Sequence, residues 1–467
     1  MDRYELIVLG GGPGGYVAAI RAAQLGKKVA IIEKDKFGGV CLNRGCIPTK
    51  TILSSSHLLD LIKRSQEFGI KVGSYSIDII KLMERKEKIV STLRKGVEFL
   101  LKSNDVDMYK GFGKLISNNK VEVEVDGTNQ IIEGDYILIA TGSEALVPSA
   151  FTYDKNVVIT SDEALDMKNI PGSVIVVGGS AVGLEFATIY SVFGANVTLI
   201  EMLPQIAPTE DLEISDALLK SMKRRGIDIK TSTKVLSAET VGSAAEVEIE
   251  LEGEKQKLKA DIVLVAVGRE PNTQGIGAEE IGLELERGYI KVDERLKTSR
   301  PNVYAIGDVI GGMMLAHVAS HEGIVAVENV FGESKSINYS NAPSCIYTDP
   351  EIASVGFSEQ KCKEMGYDYK VGKFPFSANG KALGEGEREG FVKVISDVKY
   401  GEILGVHIFG AHASAILHEA VVAKASDLVV DSVSEVIHIH PSLSETVMEA
   451  FMDVDGISIH NPKRVVL

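Results

Sequence analysis

Leu6-Ile7-Val8-Leu9-Gly10-Gly11-Gly12-Pro13-Gly14-Gly15 decides the fold. An apolar run followed at once by glycines reads as strand, tight turn and helix start, and the helix from Tyr16 is expected to stop at Gly26. A second strand, residues 28–32, ends at Glu33. G-x-G-x-x-G between strand and helix, with an acid about 20 residues on, is the dinucleotide-binding fingerprint in its required context. Gly10 makes the tight turn, Gly12 lets backbone approach a pyrophosphate, and Gly15 allows close helix packing. The helix N-terminus meets the phosphates, and Glu33 can hold an adenosine ribose.

The pattern occurs twice. Residues 174–177 precede Gly178-Gly179-Ser180-Ala181-Val182-Gly183, then come a helix through Phe193 and a strand, 196–200, ending at Glu201. Glu33 follows Gly10, and Glu201 follows Gly178, by the same 23 residues. Two such units imply two dinucleotides, or one dinucleotide and a relic. Ser180 departs from the pattern at the glycine that faces pyrophosphate.

Each unit has a later strand ending in glycine: 136–140 before Thr141-Gly142, and 261–267 before Gly268. Residues 120–132 and 245–258 read as antiparallel insertions. The strand at 303–306, before Gly307-Asp308, is expected to rejoin the first sheet. From about Asn341 the texture changes to an antiparallel sheet (344–347, 370–375, 391–396, 403–409) with helices over 413–426 and 444–452. The expected class is α/β, with two Rossmann-like dinucleotide-binding domains and a C-terminal α+β dimerisation domain. The expected boundaries are 1–149, 150–272, 273–340 (return of the first domain) and 341–467.

A chain of 467 residues is too long for one core. Hydrophobic content of 45% and charged content of 25% are those of an ordinary soluble protein. Lys+Arg 50 against Asp+Glu 65 gives −15 without a basic stripe, which argues against nucleic acid and anionic membranes as partners. Met1-Asp2-Arg3 runs straight into a strand, leaving no room for a signal peptide, and no apolar run reaches the length of a membrane span. Four cysteines do not make a disulfide scaffold. A cytoplasmic protein with one reactive pair fits best.

That pair lies in Gly38-Gly39-Val40-Cys41-Leu42-Asn43-Arg44-Gly45-Cys46-Ile47-Pro48-Thr49-Lys50. A regular helix separates residues i and i+5 by about 8.6 Å, whereas a disulfide wants its Cα atoms within roughly 7 Å. If these cysteines bond, no regular helix runs through both. Pro48 and Gly45 supply the distortion. Pro48 also suits the first turn of a helix running to about Gln66. Cys46 then sits at that helix's N-terminus, where the dipole favours a thiolate, with Cys41 upstream on a looser loop. Two unrelated core thiols are the bland alternative, but the glycines, the proline and the neighbouring motifs favour a redox disulfide.

GGGPGGY (10–16), GGVCLNRGCIPTK (38–50), ATGS (140–143), GLE (183–185), VGREPNT (267–273), AIGD (305–308), MLAH (314–317) and HPSLSE (440–445) together resemble the flavin-dependent disulfide oxidoreductases, in the wording of the branch that oxidises dihydrolipoyl groups. The resemblance covers essentially the whole chain. It implies FAD on the first unit, at Gly10, Gly12, Gly15, Glu33, Lys50, Thr141, Gly142, Asp308 and Ala316. It implies NAD on the second, at Gly178, Gly183, Glu201 and Gly268, and a homodimer formed by the last domain.

By the same resemblance Cys46 stands next to the flavin, and the more exposed Cys41 exchanges with an external dithiol. Lys50, one turn after Cys46, pairs in the family with a glutamate that maps to Glu185. Asp308 contacts the ribityl chain, and a helix from near Leu315 aims its amides at the flavin ring. His440, oriented by Glu445, takes a proton from the dithiol at the other subunit's cysteines, with a cis bond before Pro441. The bland readings are a solvated Lys50, Asp308 as a cap and a structural His438. Glu201 favours NAD over NADP, since no arginine follows until Arg224. Cys345 and Cys362 read as packing residues, and no metal site is expected.

The implied partner is free dihydrolipoamide, or a separate lipoyl-bearing protein of a 2-oxo acid dehydrogenase or glycine cleavage complex. Rival readings are a sibling enzyme acting on a glutathione-like disulfide or mercuric ion, and a non-catalytic docking subunit. Against them stand the HPSLSE wording, the absence of a terminal cysteine pair and the full set of redox residues.

Overall fold

The computed structural model describes residues 2–125 and 127–462. Met1 and the expected end of the last domain at 467 lie outside them. The chain forms two compact units. One comprises Met1–Ile52, Ile80–Leu146 and Gly268–Ile337, and the other Leu53–Ile79, Val147–Val267 and Asn338–Leu467.

In the first unit, Asp107–Lys110, Val29–Glu33, Arg3–Leu9 and Thr128–Ile139 lie side by side in parallel. Leu6 is opposite Val29 on one side and Tyr136 on the other. Such apolar runs suit a sheet covered on both faces. Leu6, Ile7 and Val8 are fully buried, and they divide between two apolar clusters. Lys120–Val125 and Phe112–Ser117 extend the sheet antiparallel, as expected of the insertion. Val303–Ala305 joins it parallel to Thr128–Ile139, which makes this unit discontinuous in sequence. The helices Pro13–Gln24 and Ala316–Val330 contribute Ala18, Ala19, Val325 and Ala326 to one of those clusters. The 25-residue helix Ile79–Ser103 has no counterpart among the expected elements. Its charged face hides a stripe of Val90, Val97 and Leu101 that helical spacing would have disclosed.

The second unit carries the repeat. Asp228–Lys230, Asn196–Ile200, Ser173–Val177, Ile262–Val265 and Val158–Ile159 form a parallel sheet in that order. Thr233–Val241, Ala244–Leu251 and Glu254–Ala260 form the antiparallel insertion. The C-terminal sheet runs Ser344–Ile346, Glu351–Gly356, Ile403–Gly410, Gly390–Asp397, Tyr369–Pro375, all antiparallel. Glu351–Gly356 is a strand beyond those expected. The helix expected over 413–426 is two pieces, Ala413–Ile416 and His418–Ala425. Among the described residues no helix is long and apolar enough to cross a membrane.

Candidate active site

Two helices set end to end carry the cysteines: Gly39–Arg44 and Cys46–Lys63, with Gly45 between them. A Cβ at Gly45 would lie 3.0 Å from the Val40 carbonyl oxygen. Thr49 donates to the Gly45 carbonyl through its amide at 3.1 Å and its hydroxyl at 2.6 Å. Cys46 thus opens the long helix, as expected. Cys41 sits on a short helix rather than a loose loop, and Asn43 supplies the reason. Its Nδ2 donates to the carbonyls of Phe37 and Gly39, each at 3.0 Å, while its Oδ1 accepts from Arg94 at 3.2 Å.

Cys41 and Cys46 are both half-buried. The Cys41 thiol is pushed far above the ordinary thiol range, first by its hydrogen bond to Cys46 and next by burial, while the charge of Lys50 pulls the other way. Cys46, which opens the long helix, is the sulfur placed where the helix dipole favours a thiolate. Burial, and after it Cys41, pushes the hydroxyl of Tyr16 up.

His440 is joined to Pro441 by a cis bond, as expected. Its Nδ1 lies 2.9 Å from Glu445 Oε1, and the Ser442 amide donates to Oε2 at 2.8 Å. Glu445 stands in the first turn of Ser444–Asp453. Burial, the largest single effect, pushes its carboxyl up, but the Ser442 amide and His440 outweigh burial and hold it below the usual range. With Nδ1–H on the carboxylate, Nε2 is the basic nitrogen, on a side chain 82% exposed. His438 is different: it is buried, with Nε2 3.1 Å from Glu419 and Nδ1 on the Val436 carbonyl. Glu185 is also buried and accepts from the Tyr347 amide at 3.0 Å.

The two glycine turns superpose in chemistry. Gly10 and Gly178 have φ of +105° and +110°, and a Cβ on either would lie 2.2 Å from the carbonyl oxygen of Ala140 or Ala266. A Cβ at Gly15 or Gly183 would strike the carbonyl of Gly10 or Gly178 at 1.9 Å. Each acid is pinned alike. Glu33 accepts from the amides of Gly11 (2.7 Å) and Asp35 (2.8 Å), and Glu201 from those of Gly179 (2.6 Å) and Leu203 (2.8 Å). Burial pushes the Glu33 carboxyl up against the pull of its two amides.

The profile of the family described as pyridine nucleotide-disulphide oxidoreductase matches residues 4–323, and that of its dimerisation domain matches residues 342–451. The chain belongs to this family. It is 42% identical over 469 residues to a dihydrolipoyl dehydrogenase of Bacillus subtilis (strain 168), covering 98% of this chain and 99% of the relative. It is 41% identical to a mitochondrial dihydrolipoyl dehydrogenase of Pisum sativum (98% and 93% covered). A leghemoglobin reductase of Vigna unguiculata is also 41% identical (97% and 87%). Among solved structures, LpdA from Mycobacterium tuberculosis aligns with a TM-score of 0.90 at 27% identity, over 97% of this chain and 99% of that one. The Cu(II) complex of the flavoprotein disulfide reductase RclA from Escherichia coli aligns at 0.86 and 28%, with the same coverage.

For a pyridine nucleotide-disulphide oxidoreductase, the first cradle has room as well as chemistry. A cavity of about 280 Å³ opens beside Gly10, Glu33, Thr141 and Asn272. Thr141 and Asn272 hold its wall with mutual hydrogen bonds of 2.8 and 2.9 Å, and the Gly142 carbonyl accepts the Asn272 amide at 2.9 Å. Gly268 accepts the Leu146 amide at 3.0 Å, and Ala316 opens its helix, as expected. Ser180 fits the second cradle without strain. At φ −92° and ψ −176° it repeats the extended backbone of Gly12, which any residue adopts. Asn43, Arg94, Ser143, Arg269 and Asn272 were missed as site residues. The last three lie within ATGS and VGREPNT, where the sequence assigns roles only to Thr141, Gly142 and Gly268.

Proposed function

We infer that this oxidoreductase is a dihydrolipoyl dehydrogenase, converting a dihydrolipoyl group and NAD⁺ into a lipoyl group, NADH and a proton. One observation carries the reading: Cys41 and Cys46 stand on two helices that meet at Gly45, with Cys46 opening the long one, in a chain similar end to end to relatives of that name. FAD, when bound, supplies two-electron redox chemistry. Gly10, Gly12 and Glu33 would hold its adenosine diphosphate, Asp308 its polyol chain, and the N-terminus of Ala316–Val330 would stabilise charge on its ring. In the second unit, Gly178, Gly183 and Glu201 would hold NAD⁺.

The residues divide the thiol chemistry. With Cys41 and Cys46 joined, His440 Nε2 takes a proton from the dihydrolipoyl group, whose thiolate attacks Cys41 Sγ. The sulfur–sulfur bond breaks, and its electron pair leaves on Cys46 Sγ at the helix N-terminus. The second dihydrolipoyl sulfur then attacks the first and closes the lipoyl ring. Cys41 departs with that second sulfur's proton. The pair ends as a Cys41 thiol and a Cys46 thiolate, with the other proton on His440. Lys50 provides positive charge beside the pair.

The protein works as a homodimer in which His440 serves the cysteines of a second copy. Ile437 and Ile439, 96% and 80% exposed, support this by leaving an apolar strip beside His440 within the dimerisation match. The domains divide near residues 150, 273 and 341. The reductant is free dihydrolipoamide or a lipoyl-bearing protein of a 2-oxo acid dehydrogenase or glycine cleavage complex, and the setting is the cytoplasm. The test is NAD⁺ reduction by dihydrolipoamide beside glutathione and NADP⁺ controls. Turnover with the first pair alone is expected. A yellow protein inert towards dihydrolipoamide overturns the reading.

A further inference from the structure

Asp308 is held by residues far from it in sequence. Ser143 Oγ lies 2.5 Å from Asp308 Oδ2, and Ser143 is 1% exposed. Arg269 Nε lies 2.6 Å from the same Oγ, and Arg269 Nη2 lies 2.8 Å from the Ser143 carbonyl. The guanidinium also approaches Asp308 Oδ2 directly, at 3.7 Å. The protons fix the directions of these bonds. A guanidinium only donates, so Ser143 Oγ must accept from Arg269. A hydroxyl has one proton, and here it is driven onto Asp308 Oδ2. Oδ2 thereby has its donor, and Oδ1 keeps its acceptor sites for a ligand.

The frame around this chain of bonds is stiff. Ser143–Ala145 and Arg269–Pro271 pair as antiparallel strands, the Thr141–Asn272 bonds close one end, and Tyr289 donates to the Arg269 carbonyl at 3.3 Å.

We propose that Ser143 and Arg269 are positioning residues that lock the Asp308 carboxylate so that Oδ1 accepts a hydroxyl of the FAD polyol chain. The proposal rests on the assignment of FAD to the first unit. Its test is a double-mutant cycle read as the dissociation constant of FAD, measured by flavin fluorescence on dilution of the holoenzyme. Ser143→Ala is expected to weaken FAD binding about tenfold, the scale of one charge-assisted hydrogen bond. Asp308→Asn is expected to weaken it at least as much, and the double variant no more than Asp308→Asn alone. Arg269→Met, cycled against Asp308→Asn, gives the same answer should Ser143→Ala fail to fold. Effects that multiply in the double variants, or unchanged FAD affinity in the single ones, overturn the proposal. Wild-type protein that takes up no FAD overturns the FAD assignment and the proposal with it, a result distinct from wild-type binding with an unaffected variant.

Discussion

His440 Nδ1 and Glu445 Oε1 lie 2.9 Å apart, so the carboxylate fixes the imidazole's tautomer and leaves Nε2 as its acceptor nitrogen. His440→Gln should lower turnover of dihydrolipoamide by about 10²–10⁴-fold with flavin content unchanged, the range for loss of a general base. Glu445→Gln should cost less, because a base remains and only its orientation and charge partner are lost. Steady-state kinetics with an absorbance measurement of bound flavin checks both.

Cys41→Ser should leave FAD bound and abolish dithiol exchange, with a loss of about 10³-fold or more, because no sulfur remains to form the mixed disulfide. Lipoamide turnover within tenfold of wild type would refute the exchange role.

Glu201 is pinned by two amides, and its proposed role is to accept ribose hydroxyls and repel a 2′-phosphate. Glu201→Gln should reduce the preference for NAD⁺ over NADP⁺, measured as the ratio of kcat/KM values, by about 10-fold or more. Ser180→Gly should change the KM for NAD⁺ less than about twofold, since the serine already has the glycine's backbone conformation.

Lys393 is buried against three carboxylates, with Nζ 2.9 Å from Asp211, 2.8 Å from Glu359 and 3.3 Å from Glu213. Lys393→Met leaves the buried Asp211 carboxylate uncompensated and should destabilise the protein by about 3–5 kcal/mol, read from denaturant unfolding. The hydrogen bond from Lys393, the largest influence, holds the Glu359 carboxyl down at about 2 against burial. A carboxyl depressed in the folded state stabilises fully above its unfolded value near 4.3 and loses that contribution as pH falls towards the folded one. Stability should therefore decline between about pH 4 and 2, and Glu359→Gln should flatten that decline.

Legibility in the sequence followed the range of the forces involved. Gly10, Gly15 and their copies Gly178 and Gly183 were readable because backbone contacts within one turn admit no Cβ. His440 and Glu445 were readable because five residues of local chain bring them together. Asn43 went unread because its partner Arg94 sits on a helix whose surface is mostly charged. Ser143 and Arg269 went unread because 126 residues separate them.

The sequence by itself determined the paired nucleotide turns, the break between the cysteines and the acid that ends each second strand. Short-range sterics and hydrogen bonds dictate all three wherever the chain folds. Only the tertiary structure decided that Cys41 sits on a short helix, that Ser180 keeps the glycine's extended backbone and that Asp308 is bonded through Ser143 to Arg269. Those outcomes depend on which distant groups share a buried volume, where each donor and acceptor must find its partner.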